Sequence, residues 1–286
     1  MENDNRKPIV VGIGEVLWDI FPSGRKAGGA PINFVYHATT SGADGYAISA
    51  IGDDELGREI FDLVDKIGIK HLIDTVAQPT GTVYVELKDG NAEYTITDNV
   101  AWDFIPFNDE MKSLAQKTDA VCFGTLAQRS EVSRESIRKF LSYTPDRVYK
   151  ILDLNLRNNF YSDTLIDESI RLCNVLKVND DEFLFIKKLY SKSDISDDEA
   201  VKWMMAEFNL KYFILTSGAD YSEIYSPAQK SHIETPRVVV VDTVGAGDSF
   251  TGAFVAAILK GEDLKSAHAA AVDRAAKVCT IAGAWL

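Results

Sequence analysis

Cysteines and long apolar runs are scarce in this sequence. Its 286 residues include 3 cysteines, Cys122, Cys173 and Cys279, which lie far apart and form no CxxC pair. This spacing indicates neither a disulfide framework nor a zinc site, so buried free thiols are expected. No apolar stretch reaches the roughly 18 residues of a membrane span, and residues 1–7 lack the apolar core of a signal peptide. The sequence therefore predicts a soluble protein of the cytoplasm.

Positive charge is also in short supply. The chain has 30 Lys and Arg against 43 Asp and Glu, which gives a formal net charge of −13. Nucleic acids and anionic membranes are bound mainly by clustered basic residues, and no long basic run occurs here, so neither is expected as a partner. An anionic ligand at one local site stays compatible with this balance. With 46% apolar and 26% charged residues the composition is that of an ordinary globular protein, and the length allows two domains or one large α/β domain.

Apolar runs rich in β-branched residues alternate with stretches of helical period along almost the whole chain. This alternation is typical of βαβ units and a mainly parallel sheet. The predicted strands are Ile9–Gly14, Tyr46–Ile51, Asp119–Gly124, Lys150–Asp153, Val175–Val178, Tyr212–Thr216 and Val238–Val241. The predicted helices are Pro31–Thr40, Glu55–Ile67, Val132–Tyr143, Leu165–Leu172, Asp197–Phe208, Ala246–Lys260 and Leu264–Ile281.

Two stretches break the alternation. Trp18–Phe21 and Gly81–Thr97 both have the pattern of extended chain, and the second contains a turn at Lys88–Asn91. Strands without crossover helices do not easily join a doubly wound sheet, so a small separate sheet that could cover a cleft is the first interpretation. An edge hairpin of the main sheet is the alternative that the sequence leaves open.

The segment 238–254 combines an apolar run, a glycine turn and a helix start. Gly245 and Gly247 follow the valines of Val238–Val241, and the helix that begins at Ala246 has small residues on its packing faces. Glycines let backbone N–H groups approach a ligand closely, and a helix N-terminus carries about half a positive charge. The segment therefore predicts a site for a phosphate or a developing oxyanion.

Asp248 lies in the first turn of this helix, where two interpretations compete. An aspartate at a helix start caps free N–H groups and complements the helix dipole, which is a purely structural role. A carboxylate beside an anion hole can instead accept the proton of an alcohol, while the same N–H groups stabilise a transferring phosphoryl group. The combination of Gly245, Gly247 and Asp248 with the preceding Asp242 and Thr243 favours the general base.

Asp242–Phe250, with the sequence DTVGAGDSF, resembles the second signature of the PfkB, or ribokinase-like, family of carbohydrate kinases. The family's first signature is similar to Gly28–Asn33, which is followed by Gly42 and by Ile51–Gly57. Spacing and order match over nearly the whole chain. The resemblance implies an α/β fold, a ribokinase-like three-layer α/β/α sandwich with a mainly parallel central sheet and a small β-sheet lid.

Within the family the chain looks most like the bacterial fructokinases. The segments that carry this likeness are Gly14–Asp19, Gly28–Asn33 and Asn99–Phe104. The resemblance implies a single domain over residues 1–286, with a lid formed by segments about 15–30 and 80–105. It also implies that the protein is an ATP-dependent sugar kinase that converts D-fructose to fructose 6-phosphate.

The same resemblance implies roles for individual residues. Asp248 would be the general base, and the backbone of Gly245, Ala246 and Gly247 would form the anion hole. The sugar would be bound by Asp19, Gly28, Gly29, Asn33 and Arg157. The nucleotide would be bound by Asn179, Thr216, Gly218, Gly245 and Gly247.

Two kinds of cation are implied as well. Glu182 would act on Mg²⁺ through water, since Mg²⁺ keeps several waters and needs few protein oxygens. A monovalent cation, with K⁺ as the expected ion, would be held by Asp242, Val244, Val278, Ile281 and Gly283. ATP and Mg²⁺ are therefore the expected cofactors, and K⁺ is a further candidate.

The expected partners are a small-molecule sugar and MgATP. The resemblance also allows a homodimer through the lid sheet, for which the alternating Val83, Val85 and Leu87 would supply an apolar surface.

Alternative functions stay open at this point. The same scaffold phosphorylates ribose, 2-keto-3-deoxygluconate, nucleosides or a sugar 1-phosphate, and fold alone cannot choose among them. A sugar acid or sugar phosphate should need an extra cation besides Arg157, for which the candidates are Arg25, Lys26 and Arg129. From a different class, the protein could be a non-catalytic sugar-sensing module.

Overall fold

A central sheet of nine strands and a separate sheet of four account for the strands in residues 6–88 and 91–285, the part of the chain that a computed structural model describes. At 86–88 and 91–93 only the backbone is described. The strands are β1 (Ile9–Ile13), β2 (Leu17–Phe21), β3 (Gly24–Gly28), β4 (Asp44–Gly52), β5 (Lys70–Val76), β6 (Gly81–Lys88), β7 (Asn91–Ile96), β8 (Ala120–Gly124), β9 (Tyr149–Asp153), β10 (Val175–Asn179), β11 (Tyr212–Ser217), β12 (Tyr221–Tyr225) and β13 (Lys230–Glu234). The helices are α1 (Ala30–Thr40), α2 (Glu55–Lys66), α3 (Asp109–Ala115), α4 (Glu131–Tyr143), α5 (Asp163–Leu172), α6 (Asp180–Leu189), α7 (Asp197–Glu207), α8 (Ala246–Leu259) and α9 (Leu264–Val278).

The central sheet is mainly parallel, as the alternation of strands and helices predicts. Its strand order is β13-β12-β11-β10-β9-β8-β1-β4-β5. Every neighbouring pair from β5 to β11 is parallel, and only β12 and β13 join as antiparallel strands at one edge. Parallel strands place their carboxyl ends on one edge of the sheet, which is where ligands bind in such folds.

Alternation along each strand supplies an apolar core on both faces of this sheet. In β1, Val11 and Ile13 pack into the core that α3 to α7 cover, whereas Val10 packs into the core under α1, α2, α8 and α9. Helices cover both faces of the sheet and bury its central strands, so the fold is the expected three-layer α/β/α sandwich. At Gly252 a β-carbon would lie 2.6 Å from the carbonyl oxygen of Phe34, which shows how closely α8 approaches α1.

The smaller sheet is separate from the central one, which confirms the first interpretation over an edge hairpin. Its order is β3-β2-β6-β7, with β2 and β6 parallel and both outer pairs antiparallel. Val83 and Val85 are already buried against the chain's own core, so they offer no free apolar face to a second copy. The side chain of Leu87, like Asp89 and Gly90 of the predicted turn, lies outside the described residues.

The predicted strand at Val238–Val241 is wrong. These residues belong to no strand, and the side chain of Val239 is 84% exposed. The N–H of Val241 donates to the carbonyl of Cys279, the residue just after α9. The segment therefore lies beside the C-terminal end of α9 and not along an edge of the sheet. Four consecutive valines have the pattern of a buried strand, but the antiparallel β12 and β13 already complete that side of the sheet.

No helix in the described part of the chain has both the length and the apolar character needed to cross a membrane.

Candidate active site

Polar side chains collect where the carboxyl ends of several parallel strands meet the start of α8. Asp153 ends β9, Asn179 ends β10 and Thr216 lies near the end of β11. Asp248 lies in the first turn of α8. The topology therefore brings together residues from four separate segments at the edge where ligands bind in α/β folds.

The turn at Gly245 leaves the start of α8 open to an anion. Gly245 is the N-cap residue and has a left-handed φ of 76°, and a β-carbon there would lie 2.5 Å from that of Ala284. Both the backbone conformation and the available space therefore require glycine. Because glycine has no side chain to cap the helix, the positive end of α8 can face a ligand phosphate.

Asp248 accepts a hydrogen bond of 2.8 Å from the side-chain amide of Asn33. Burial raises the pKa of Asp248 to about 6, and the nearby Asp153 carboxylate adds to the rise. The Asn33 amide and the cations Lys177 and Arg157 act in the opposite direction. A carboxylate with a pKa near 6 is ionised at neutral pH and still basic enough to share the proton of an alcohol.

Lys177 and Asp153 form a buried ion pair beneath the glycine turn. The two residues face each other on β10 and β9, and their charged groups are 3.1 Å apart. A β-carbon at Gly247 would lie 3.1 Å from the Lys177 ammonium. Although burial lowers the pKa of Lys177, the carboxylates of Asp153, Glu182 and Asp248 raise it above its ordinary value, so the ammonium is charged.

Asn179 and Glu182 form a reciprocal capping box at the start of α6. The Asn179 side chain accepts from the N–H of Glu182, and the Glu182 carboxylate accepts from the N–H of Asn179, each at 2.8 Å. The other Glu182 oxygen accepts from the N–H of Leu156 at 2.9 Å. Burial raises the pKa of Glu182, while Lys177 opposes the rise. The structural role is therefore clear, and each carboxylate oxygen keeps a lone pair for a water.

Asp19 on β2 lies beside the glycine pair that begins at Gly28. A β-carbon at Gly28 would lie 3.1 Å from an Asp19 carboxylate oxygen, so the glycine leaves one side of that carboxylate open. Burial raises the pKa of Asp19 to about 6, and the positive charge of Arg157 opposes the rise. Arg157, an exposed residue, also lowers the pKa of Asp248, so its positive charge acts on both carboxyl groups.

A buried acid, Glu15, lies behind Gly29 at the start of α1. Its carboxylate accepts from the N–H of Ala30 at 3.3 Å, and its second oxygen has no hydrogen-bond partner within the described residues. Burial raises the pKa of Glu15 to about 7, and the Asp248 carboxylate contributes to the rise. A β-carbon at Gly29 would lie 2.3 Å from the carbonyl oxygen of Glu15, so this position has no room for a side chain.

The segment 283–285 closes over the same site. The Trp285 indole N–H donates to the Asn33 side-chain oxygen at 3.0 Å, and the Asn33 amide in turn donates to Asp248. The imidazole Nε2 of His37 lies 2.7 Å from the carbonyl oxygen of Ala284. Burial lowers the pKa of His37 to about 4, so a neutral imidazole donates here.

Asp242, just before the glycine turn, is held by donors on both carboxylate oxygens. One oxygen accepts from the N–H of Val244 at 3.1 Å. The other accepts from the Lys26 ammonium at 3.0 Å and from the N–H of Gly283 at 2.9 Å. The carbonyl of Val278, a further predicted cation ligand, accepts from the N–H of Ile281 at 3.2 Å.

The predicted nucleotide loop follows β11. Thr216 donates to the carbonyl of Val178 at 3.4 Å, and Gly218 has a left-handed φ of 44°. Gly218 is exposed, and its carbonyl accepts from the Thr235 hydroxyl at 3.0 Å. This loop borders the site from the side of β10, where Asn179 also lies.

The sequence analysis assigned no role to Lys177, Glu15 or Trp285, and it named Lys26 only as a candidate cation for a charged acceptor. Lys177 and Glu15 nevertheless left a signal. Lys177 is a lone charge in an otherwise apolar strand, and Glu15 precedes the apolar segment Val16–Trp18. An isolated charge in a buried segment requires a partner, and this requirement is the signal that the two residues carry. The hydrogen bonds of Lys26 and Trp285 are with residues more than 200 positions away in sequence, so no local pattern predicts them.

Residues 23–285 match the family described as pfkB family carbohydrate kinase. The probable fructokinase-5 of Arabidopsis thaliana is 30% identical over 276 residues, which cover 88% of this chain and 83% of that protein. The crystal structure of a fructokinase with bound ATP from Xylella fastidiosa has a TM-score of 0.86 at 19% identity, covering 98% of this chain and 94% of that one. A Vibrio cholerae fructokinase solved with fructose, ADP and a potassium ion has a TM-score of 0.79 at 21% identity, covering 97% and 94%.

Proposed function

The chain belongs to the pfkB family of carbohydrate kinases and is an ATP-dependent sugar kinase, and from this premise we propose that its acceptor is D-fructose, phosphorylated at the 6-hydroxyl. The observation that carries the proposal is the placement of Asp248 at the open N-terminus of α8, where it accepts a hydrogen bond from Asn33. The charge of Arg157 acts on both Asp248 and Asp19. Relatives named fructokinase support the choice of sugar.

The proposed chemistry needs one base and one anion site. Asp248 takes the proton of the 6-hydroxyl while the oxygen of that hydroxyl attacks the γ-phosphorus of ATP. The bond to the bridging oxygen breaks, and ADP leaves. The backbone N–H groups of Gly245 and Gly247 stabilise the charge on the transferring group, and such stabilisation is usually the largest single contribution in sites of this kind. The N–H of Ala246 donates to the carbonyl of Thr243 at 3.2 Å in this structure, so it would join the anion hole only by leaving that bond.

The charges around the sugar side favour a neutral sugar over a sugar acid or phosphate. Glu15, Asp19 and Asp248 are carboxyl groups, and Arg157 is the cation that affects the pKa of all three. The other candidate cations have carboxylate partners, in the pairs Arg25 with Glu59, Lys26 with Asp242 and Arg129 with Asp103. An extra negative charge on the acceptor would therefore meet carboxylates and few available cations.

Mg²⁺ fits this site through water and phosphate oxygens. Within the described residues no group of three or more His, Cys, Asp and Glu side chains could hold a metal ion. Mg²⁺ keeps several waters and uses few protein oxygens, so Glu182 is sufficient as a water-mediated partner. When bound, Mg²⁺ would neutralise charge on the phosphates of ATP. Asn179, Thr216 and Gly218 would border the nucleotide.

The smaller sheet is the proposed lid, with segments about 15–30 and 80–105 closing over the sugar. Closure would exclude water from the γ-phosphate and so limit unproductive hydrolysis of ATP. A single domain over the chain, the cytoplasm as the place of the reaction and a homodimer through the lid sheet stay predictions. Light scattering tests the dimer, although Val83 and Val85 cannot supply its surface.

The choice of sugar is tested by ADP release from MgATP with a panel of D-fructose, D-ribose, 2-keto-3-deoxygluconate, a nucleoside and fructose 1-phosphate. We expect kcat/KM for D-fructose to exceed the others by about tenfold or more, since pocket contacts discriminate related substrates by that order. Phosphorus NMR of the product should show the phosphate on the 6-oxygen. A higher kcat/KM for another acceptor would overturn the choice of fructose and leave the kinase assignment intact.

The role of Asp248 is tested by Asp248→Asn, which keeps the shape of the side chain and removes its basicity. We expect kcat to fall by about a hundredfold or more while ATP binding stays close to wild type. Asp263→Asn is the matched control, because Asp263 caps the start of α9 through the N–H groups of Lys265 and Ser266. Activity of Asp248→Asn within about tenfold of wild type would show that Asp248 is not the base and serves only as the partner of Asn33.

A further inference from the structure

Lys26 connects the smaller sheet to the turn that precedes α8. Its ammonium lies 3.0 Å from an Asp242 carboxylate oxygen, although the two residues are 216 positions apart. The ammonium also lies 5.4 Å from the centre of the Phe21 ring, a favourable cation–π distance. On its own sheet Lys26 pairs with Asp19, a predicted sugar ligand. A single positive charge is therefore held between the sugar side and the glycine turn.

Asp242 has little capacity left for a metal ion. Besides Lys26, the N–H groups of Val244 and Gly283 donate to its two oxygens at 3.1 and 2.9 Å. A metal ion is bound by oxygen lone pairs, and each of these donors occupies one. Burial alone would raise the pKa of Asp242, but Val244, Lys26 and Gly283 together lower it, so the carboxylate stays ionised.

We propose that the Lys26 ammonium takes the place of a monovalent cation at Asp242, so that the kinase reaction requires no K⁺. The ammonium supplies the same single charge as K⁺, and its attachment to β3 keeps it at the site at any salt composition. This departs from the expectation that K⁺ is held by Asp242, Val244, Val278, Ile281 and Gly283. The proposal rests on the kinase activity of the family and is independent of which sugar is phosphorylated.

The charge has a physical purpose at this position. Asp242 lies three residues before Gly245, whose N–H belongs to the proposed anion hole. An uncompensated carboxylate so close would oppose the build-up of negative charge on the transferring phosphoryl group. Lys26 offsets that charge and also holds the turn in place through its hydrogen bond.

The first test measures initial rates of ADP formation with the sugar that turns over, in KCl and in tetramethylammonium chloride at equal ionic strength. For the wild-type protein we expect kcat in the two salts to agree within about twofold. Lys26→Met should lower kcat by about tenfold or more in tetramethylammonium chloride. Adding K⁺ or NH₄⁺ should then raise the kcat of this variant by about threefold or more. Lys26→Arg, which keeps the charge, should respond to neither ion.

Arg25→Met is the matched control for this series. Arg25 is the neighbouring residue on β3 and is similarly exposed, but its guanidinium pairs with Glu59 instead of Asp242. Its kcat should stay within about twofold of wild type in both salts, because loss of an exposed ion pair has a small effect.

Thermal unfolding gives a second readout that needs no sugar. K⁺ added to wild type should leave Tm unchanged, whereas K⁺ added to Lys26→Met should raise Tm, since an ion that binds only the folded state stabilises it. The proposal is overturned if wild-type kcat falls about tenfold without K⁺, or if Lys26→Met keeps full activity without K⁺. The proposal is also overturned if Lys26→Met loses activity and neither K⁺ nor NH₄⁺ changes its kcat or its Tm. Lys26 would then serve only to join the smaller sheet to Asp242 through their ion pair.

Discussion

The buried ammonium of Lys177 is held in place by two neighbours, Asp153 and Gly247. Asp153 accepts its hydrogen bond at 3.1 Å, and Gly247 leaves open the space into which a side chain would point. A buried charge is expensive unless it is paired, so an isolated ammonium in an apolar strand is expected to have a purpose beyond packing. Its place beneath the glycine turn suggests that it stabilises negative charge that develops during phosphoryl transfer.

We therefore expect Lys177→Met to lower kcat by about ten- to a hundredfold, with KM for the sugar changed by no more than about threefold. The physical reason is that the ammonium supports the transferring group and not the sugar, so its loss affects the transition state more than substrate binding. Steady-state kinetics over a range of sugar and MgATP concentrations measures both parameters.

Lys187→Met is the control for burial alone. Lys187 is also a largely buried ammonium, on α6, and it pairs with Asp197 and the carbonyl of Ile195 away from the site. Its replacement should lower stability with little change in kcat. If both variants lose stability and both keep wild-type kcat, Lys177 has only a structural role.

At the scale of elements, the start of α8 is positioned by segments that are distant in sequence. Gly283 donates to Asp242, Ala284 packs against Gly245, and Trp285 donates to Asn33. Three consecutive residues thus contact three different parts of the site. The segment 283–285 therefore acts as a strap that sets the orientation of the Asn33 amide toward Asp248.

Trp285→Phe tests this strap through the pH dependence of kcat/KM. In wild type kcat/KM should fall as the pH drops through about 6, because the base must be ionised and burial raises the pKa of Asp248 to about 6. The hydrogen bond from Asn33 lowers that pKa, and without the indole donor the amide is no longer held in place. The midpoint should therefore shift upward, by up to about one pH unit.

Trp203→Phe makes the same change far from the site, on α7, where Trp203 packs against Tyr190 and Phe208. Its profile should keep the wild-type midpoint. An unchanged midpoint in Trp285→Phe would show that Asn33 is oriented by other contacts.

Elements differ in how far the sequence predicts them. The helix at Ala246–Leu259 and the turn before it were predicted, because glycines, a first-turn acid and small packing residues are a local signal. The edge strands β5 and β13 were missed, since half-exposed strands carry mixed polar residues. The valines Val238–Val241 gave the opposite error. A run of apolar residues predicts a buried strand. Val238–Val241 are apolar but exposed beside the candidate site, so the pattern gives the wrong structure for them.

The candidate site shows the same division. Asp248 and Asn179 lie in short motifs, so their types and spacing could be read directly. Long-range pairs such as Lys26 with Asp242 depend on the order of strands in the smaller sheet, which no periodicity specifies. Sequence therefore predicts which residues can do the chemistry better than it predicts the residues that hold them in place.

At the scale of the whole molecule, an acidic protein concentrates titratable carboxyl groups in its site. Burial raises the pKa of Glu15 to about 7, and those of Asp19 and Asp248 to about 6. A carboxyl group whose pKa is higher in the folded than in the unfolded state binds its proton more tightly when folded. Folding is therefore opposed as the pH rises through this range, which makes global stability depend on the site.

Glu15 gives the clearest case, since its pKa rises from 4.5 to about 7 on folding. Below pH 4.5 the group is protonated in both states and has no effect, and between 4.5 and about 7 ionisation of the unfolded state lowers the free energy of unfolding. The loss amounts to about 2–3 kcal/mol. Glu15→Gln removes this pH-dependent loss. The free energy of unfolding of the variant, relative to that of wild type, should therefore increase by about 2–3 kcal/mol between about pH 5 and about pH 8, as measured by urea unfolding.

Glu135→Gln on the exposed surface of α4 is the comparison, because it makes the same chemical change without removing a buried acid. Its difference from wild type should be nearly the same at both pH values. If Glu15→Gln behaved in the same way, the Glu15 carboxylate would have to be stabilised in its ionised form, despite an oxygen that has no hydrogen-bond partner within the described residues. Both substitutions change the net charge by the same amount, so net charge alone would predict the same pH dependence of stability for the two variants. A difference between them therefore isolates the effect of burying Glu15 in the site.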